Sequence, residues 1–315
     1  MIDDETGHVS SQLRALGYPD AHWLAAGMEA DVYVLDEQTV GRLPRDARAI
    51  GAGPVNQLLE ELARCDLPFA VPAPLGRISL PDGRSVLRQP RLRGRNIGDF
   101  YDSATGHLDH RAGDALVELL GALQTIPHQR LVVVPDLPLL GETTGTPPTY
   151  EQPWTAALRL MLGQRTQRFG SLLRAHVDRF DDLARACDDF LSTRENVAVA
   201  LQHGDICPPN VLVDDDCRLS AVLDWGFFTM LADPVFEMAL TSSFFDMYGP
   251  HALRVDRHLS DLFAGAFGVQ REDILRYKAA YALIGSNAYS DTADGHFRWC
   301  AAVLQRPDVR AAVLR

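Results

Sequence analysis

Lysine is almost absent: Lys278 stands alone, and the other 29 of the 30 basic residues are arginine. Wherever the chain needs a positive charge it therefore uses guanidinium, whose reach and geometry differ from those of an ammonium. Cysteine is scarce and unpatterned. The five residues, at 65, 187, 207, 217 and 300, are odd in number and form no CxxC pair. That excludes a disulfide scaffold and a zinc site and points to reduced thiols in a cytoplasm. Long apolar runs are missing too; LVVVPDLPLL is short and broken by proline, so no membrane span is expected. The acidic, polar MIDDETGHVSSQ does not read as a secretory signal. No GxxxxGK[ST], GxGxxG or GxSxG occurs, which sets aside P-loop, dinucleotide and hydrolase-elbow chemistry. The ten histidines show no HxxxH spacing.

What is present suits a globular protein: 315 residues, 46% hydrophobic and 23% charged, enough for two lobes. The net charge of −12 disfavours nucleic acid and favours a cationic partner. DVYVL and TVGRL, joined by DEQ, predict a hairpin. Pro54 opens a helix over VNQLLEELARC, with Leu58, Leu59 and Leu62 on one face. Two more strand-like runs flank the Pro-Asp-Gly turn of VPAPLGRISLPDGRSVLRQPRL. After RGRNIGDF the pattern turns helical, with Leu116, Leu119, Leu120 and Leu123 at i, i+3, i+4 and i+7. Phe180, Leu183, Cys187, Phe190 and Leu191 repeat it. Between these helices PDLPLLGETTGTPPTYEQP reads as a surface loop. VAVALQ, VLV and LSAVLDW are again strand-like, and helices resume near Asp233. The expected architecture is α+β and bilobal: a small β-rich lobe with one main helix over 1–92, and a larger, mainly helical lobe over 93–315.

The chemistry concentrates in HGDICPPN (203–210) and LDWG (223–226). VLV and LSAVLDW, paired through the turn DDDCR, would bring Asp224 back beside Asn210. An amide oxygen and a carboxylate suit a hard cation such as Mg²⁺, which needs few protein ligands when phosphates and waters complete its shell. Asp205 would remain to take a proton from a nucleophile, the division of labour that phosphoryl transfer requires. Asp214, Asp215 and Asp216 read as a solvated turn, and nothing marks Cys207 as a nucleophile.

HGDICPPN…LDWG resembles the catalytic loop and metal-binding turn of the aminoglycoside phosphotransferase family, antibiotic kinases of the protein-kinase-like fold. ADPVFEMAL, GMEADVY…TVGRLPRD, VPAPLG and LLGALQTIP extend the resemblance over about residues 22 to 300. It implies that Asp205 is the catalytic base and that Asn210 and Asp224 hold Mg²⁺ on ATP or GTP. It also implies that His203 holds the loop and that Gln89-Pro90-Arg91-Leu92 is the hinge binding the purine. Two departures stand out. Arg42 occupies the place of the family's strand lysine, and Val55 or Asn56 that of its glutamate partner, with Glu60 and Glu61 more than a turn later.

From Asp205 to Asp246 there are eight carboxylates and one arginine, an acidic floor suited to a cationic acceptor. Phe227, Phe228, Phe236, Phe244, Phe245 and Tyr248 crowd the same stretch, mostly as core. Glu237, Asp246 and Tyr248 are the acceptor-side candidates. RLPRDARA…LLEELARCDLPFAVPAPL resembles both macrolide kinases and kinases for viomycin-like cyclic peptides. The expected function is an antibiotic O-phosphotransferase. The alternatives are a metabolite kinase of the same fold and a nucleotide-binding pseudokinase.

Overall fold

The structure, a computed structural model, describes residues 2–26, 30–45, 53–127, 154–226 and 228–315. The expected loop over 135–153 lies outside the described residues.

The chain begins with α1 (Ile2–Ala15) and β1 (His22–Ala26), followed by β2 (Ala30–Val34) and β3 (Thr39–Pro44). Next come α2 (Pro54–Leu62), β4 (Gly76–Ser79) and β5 (Ser85–Pro90). The five strands form one antiparallel sheet in the order β1-β2-β3-β5-β4. Both predicted hairpins are present. The sequence patterns did not foresee α1 and β1. Val9 and Leu13 of α1 pack with Tyr33, Leu35, Leu43 and Val86 in a small core under the sheet. Every residue of β1 is exposed, so it carries none of the alternation that marks a half-buried strand.

The α2 face is buried as predicted, at Leu58, Leu59 and Leu62, but against the main core of the chain. That core also takes in Phe69 and Val71. Between them, Ala70 donates its N–H to Ser220 O and accepts from Val222 N–H. The connector after α2 is thereby tied to the hairpin that carries the candidate site.

Beyond Pro90, β6 (Arg95–Asn96), β7 (Tyr101–Asp102) and β8 (His107–Leu108) lead to α3 (His110–Thr125), α4 (Trp154–His176) and α5 (Phe180–Ser192). β9 (Ala200–Gln202), β10 (Val211–Val213), β11 (Leu219–Val222) and β12 (Met230–Ala232) are short. β10 lies between β11 and β6, and β12 pairs with β9. The helices α6 (Pro234–Phe244), α7 (Ala252–Phe267), α8 (Arg271–Gly285), α9 (Gly295–Gln305) and α10 (Pro307–Val313) complete the chain. α6 and α8 are buried on nearly all sides, as helices at the centre of a core must be. They pack on each other through Phe236–Tyr277 and Phe244–Tyr281, with ring centroids 5.5 and 5.1 Å apart. No helix among the described residues is long and apolar enough to cross a membrane.

Candidate active site

The register of one hairpin builds the site. Val211 faces Val222 across β10 and β11, and Leu223 donates its N–H to Asn210 O at 2.8 Å. Asn210 and Asp224 therefore flank the same end of the hairpin. Asp224 lies past the end of β11, in a left-handed turn (φ 57°), rather than on the strand. Gly226 follows at φ 143°, a conformation that side chains rarely adopt. The turn is sewn to the 203–210 loop. Gly226 N–H donates to Thr229 Oγ1, and Thr229 Oγ1 donates to His203 O.

His203 is fully buried and used at both ring nitrogens. Nε2 donates to Leu223 O at 2.7 Å, and Nδ1 accepts from Asp205 N–H at 3.1 Å. Burial pushes its pKa down to about 4, so the ring is neutral, as the two bonds require. Its edge meets Trp225 with centroids 4.6 Å apart. Asn210 turns its amide nitrogen onto Asp205, 2.9 Å from the backbone oxygen and 3.0 Å from Oδ2. The amide nitrogen is thereby committed to Asp205, and the amide oxygen takes no part in that contact. Burial, and then the charge of Asp224, push the Asp205 carboxyl up to about 7; hydrogen bonds from Asn210 and Cys207 act the other way. A carboxyl that exchanges its proton near neutral pH has the property asked of a general base.

Arg42 reaches across from β3 to Asp224, Nη2 to Oδ1 at 2.9 Å. The arginine in the lysine's place thus touches the candidate metal-binding carboxylate, a contact the sequence did not reveal. Val55, at the start of α2, faces the same turn: its Cγ2 lies 3.8 Å from where a Cβ on Gly226 would sit. Glu60 pairs loosely with Arg64, just past the end of its helix, 3.9 Å away. At the proposed hinge, the Gln89 side chain is buried and donates to Pro72 O at 2.7 Å. The Arg91 N–H is spent on Gln38 O at 2.7 Å, and Leu92 is half-buried.

Beside Asp205 opens a cavity of about 380 Å³. Asp246 and Tyr248 line it, as does Phe245. Tyr281 and Tyr289, which sequence reasoning missed, line it too. They come from α8 and the segment after it, far from the loop in sequence, with no local spacing to announce them. Glu237 does not line the cavity, contrary to expectation. It is buried behind the loop, accepts the Gly204 N–H at 2.9 Å, and is pushed up to about 7 by that burial. Asp233 caps α6 and pairs with Arg194. The acidic floor read from the sequence is dispersed.

Oxygen donors alone, Asn210 Oδ1 and the Asp224 carboxylate, fit Mg²⁺ shared with phosphates. Among the described residues, no group of three or more His, Cys, Asp or Glu could hold a metal unaided.

A model of the phosphotransferase enzyme family matches residues 21–272. Comparison with curated protein sequences gives no match. Among solved structures, the chain is similar to a thermostable mutant of aminoglycoside phosphotransferase APH(4)-Ia in ternary complex with AMP-PNP and hygromycin B. That likeness has 16% identity and a TM-score of 0.67, over 97% of each chain. It is also similar to the apoenzyme of macrolide 2'-phosphotransferase MphH from Brachybacterium faecium, with 19% identity and a TM-score of 0.58, over 95% of this chain and 98% of that one. The GDP complex of wild-type aminoglycoside 2'-phosphotransferase-IIIa gives 16% identity and a TM-score of 0.56, over 98% of each chain. These likenesses carry the protein-kinase-like fold.

Proposed function

The chain belongs to the phosphotransferase enzyme family, and from that premise we propose that it moves the γ-phosphate of ATP or GTP, with Mg²⁺, onto a hydroxyl of a small-molecule antibiotic. The observation that carries the proposal is Asp205. Its carboxyl lines the cavity and is fixed by Asn210. An acceptor hydroxyl seated there gives its proton to Asp205 while its oxygen bonds to the γ-phosphorus. The bridging P–O bond to the β-phosphate breaks, and the nucleoside diphosphate leaves. Asn210 and Asp224 would hold Mg²⁺, which would supply charge neutralisation on the phosphates. The guanidinium of Arg42, already at Asp224, is placed to exchange that carboxylate for a phosphate oxygen. With the Arg91 N–H occupied, the purine contact falls to the backbone around Leu92. The division at residue 92 into a nucleotide-binding lobe and a catalytic lobe is part of the proposal. Nucleotide donors and antibiotic acceptors are supported by the solved neighbours, which hold AMP-PNP with hygromycin B in one case and GDP in another.

The test is nucleoside-diphosphate release with ATP and GTP against aminoglycosides, macrolides, cyclic peptide antibiotics and small metabolite alcohols. Asp205→Ala should lower acceptor-dependent release by about a hundred- to ten-thousandfold while nucleotide still binds. Release undiminished in Asp205→Ala would remove Asp205 from the mechanism. Nucleotide binding without turnover on any acceptor would point to a pseudokinase.

A further inference from the structure

Strand register decides which way the small sheet presents its polar groups. Across β3 and β5, Arg42 stands opposite Leu87 and Val40 opposite Gln89. Paired residues share a face, and so do residues two apart on a strand. Arg42, Val40, Leu87 and Gln89 therefore project from one side of the sheet. The other side carries Tyr33, Leu43 and Val86 in the small core with α1. Arg42 crosses from its side to Asp224. The face that Gln89 shares with it is thus the one turned towards the candidate active site.

Gln89 is the buried polar residue of that face, only 5% exposed, and half of its amide is unsatisfied. Nε2 donates to Pro72 O at 2.7 Å. That bond fixes the amide's orientation, because an oxygen in the same place would face a carbonyl. Oε1 accepts no hydrogen bond from the described residues, yet it is not sealed inside the fold. A buried amide oxygen in this position calls for a donor from outside the chain. The backbone that follows is poor in donors as well. Pro90 has no N–H, and the Arg91 N–H is spent on Gln38 O at 2.7 Å. From the Gln89 side chain onward the segment offers acceptors, and the Leu92 N–H is its one remaining backbone donor.

The two purines answer such a strip differently. Adenine carries an amino group at position 6, a donor of two hydrogens, whereas guanine carries a carbonyl oxygen there. A 6-amino group satisfies Oε1 and a neighbouring carbonyl, and the adjacent ring nitrogen takes the Leu92 N–H. A 6-keto oxygen in that place meets Oε1 acceptor against acceptor and leaves both unpaired. Resting on the nucleotide role that the phosphotransfer reading gives to residues 89–92, we infer that Gln89 selects the base of the phosphate donor, and that it selects a 6-aminopurine: ATP rather than GTP.

The test is calorimetry of the full chain with Mg²⁺ and three nucleotides: ATP, GTP and inosine triphosphate. Inosine keeps the 6-keto oxygen without guanine's 2-amino group, so it isolates position 6. ATP should bind at least about tenfold more tightly than either of the others. Gln89→Met keeps the side chain's length without its polar atoms and should bring ATP and inosine triphosphate to within about threefold. Gln89→Asn, which keeps an amide but shortens its reach, is the second variant should the methionine form not fold. Inosine triphosphate or GTP bound as tightly as ATP, or an ATP preference undiminished in the folded variant, overturns the inference. Selective ATP binding without transfer to any acceptor would sink the phosphotransfer reading alone. Transfer with equal kcat/KM from ATP and GTP would sink the selection by Gln89 alone.

Discussion

His203 ties the 203–210 loop to the 223–226 turn through bonds that only a neutral imidazole can make, because Nδ1 must accept while Nε2 donates. Its folded pKa of about 4 lies below the usual 6.5. A depressed pKa means that the unfolded chain binds the proton more readily. This contribution is therefore complete above pH 6.5 and is lost as pH falls toward 4, to a limit on the order of 3 kcal/mol. Glu237 acts in the opposite sense: raised to about 7, it contributes most below its ordinary range and loses that contribution as pH rises to 7. The total curve mixes the two, so the difference between proteins is the informative quantity. In urea titrations, the stability gap between the wild type and His203→Gln should narrow from pH 7.5 to pH 4; a constant gap would contradict the ionisation argument. Arg42 calls for a different measurement. Its partner Asp224 is 55% exposed, and such a pair adds at most about 1 kcal/mol. Arg42→Ala should leave the melting midpoint nearly unchanged while weakening ATP or GTP binding in calorimetry. Unaltered nucleotide affinity would reduce Arg42 to an ordinary strand-end arginine.

At the scale of elements, α6 aims the loop through Glu237, and Asp233 starts α6. The Asp233 side chain caps Val235 N–H, pairs with Arg194 and accepts the Tyr277 hydroxyl, while its backbone oxygen accepts from Gln202. Asp233→Ala removes the cap and leaves a part-buried guanidinium without its nearer carboxylate, a loss of about 3 kcal/mol. A denaturant midpoint within error of the wild type would show that Asp273, 3.4 Å from Arg194, takes over. Elements with a strong local period were legible in the sequence: α2, α3 and α5 by their apolar spacing, and the β2–β3, β4–β5 and β10–β11 hairpins by their turns. α1 carries only sparse apolar residues between polar ones, β1 is exposed throughout, and α4, studded with arginine, has no clean apolar stripe. These form because tertiary packing or strand pairing recruits them, which a local pattern cannot register. The site divides the same way. Asp205, Asn210 and Asp224 converge through one short hairpin, so spacing alone brought them together. Tyr101 meets Asp246, and Tyr281 and Tyr289 join the cavity it lines, only through the packing of distant segments. Glu237 was misplaced because its sequence neighbours mark it as functional without saying which way it points.

For the whole molecule, the net charge of −12 acts on two substrates of opposite sign. Many surface arginines are locally neutralised, as in Arg84–Asp82, Arg111–Asp109 and Arg174–Asp181. The excess is carboxylate, and its summed field extends about 10 Å at 0.1 M salt and about 3 Å at 1 M. A cationic acceptor is drawn in by that field, whereas an anionic nucleotide must be captured by local groups such as Arg42 against it. Raising NaCl from 0.1 to 1 M, values chosen to span that range, should therefore lower kcat/KM for a cationic acceptor by about tenfold. A neutral N-acylated analogue should barely respond, and the nucleotide KM should hold steady or fall. The analogue is the control that matters, because salt also alters stability and metal binding equally for both acceptors. If the two acceptors lose activity in parallel, the field of the molecule plays no part in delivering the acceptor. Recognition would then rest on the cavity alone.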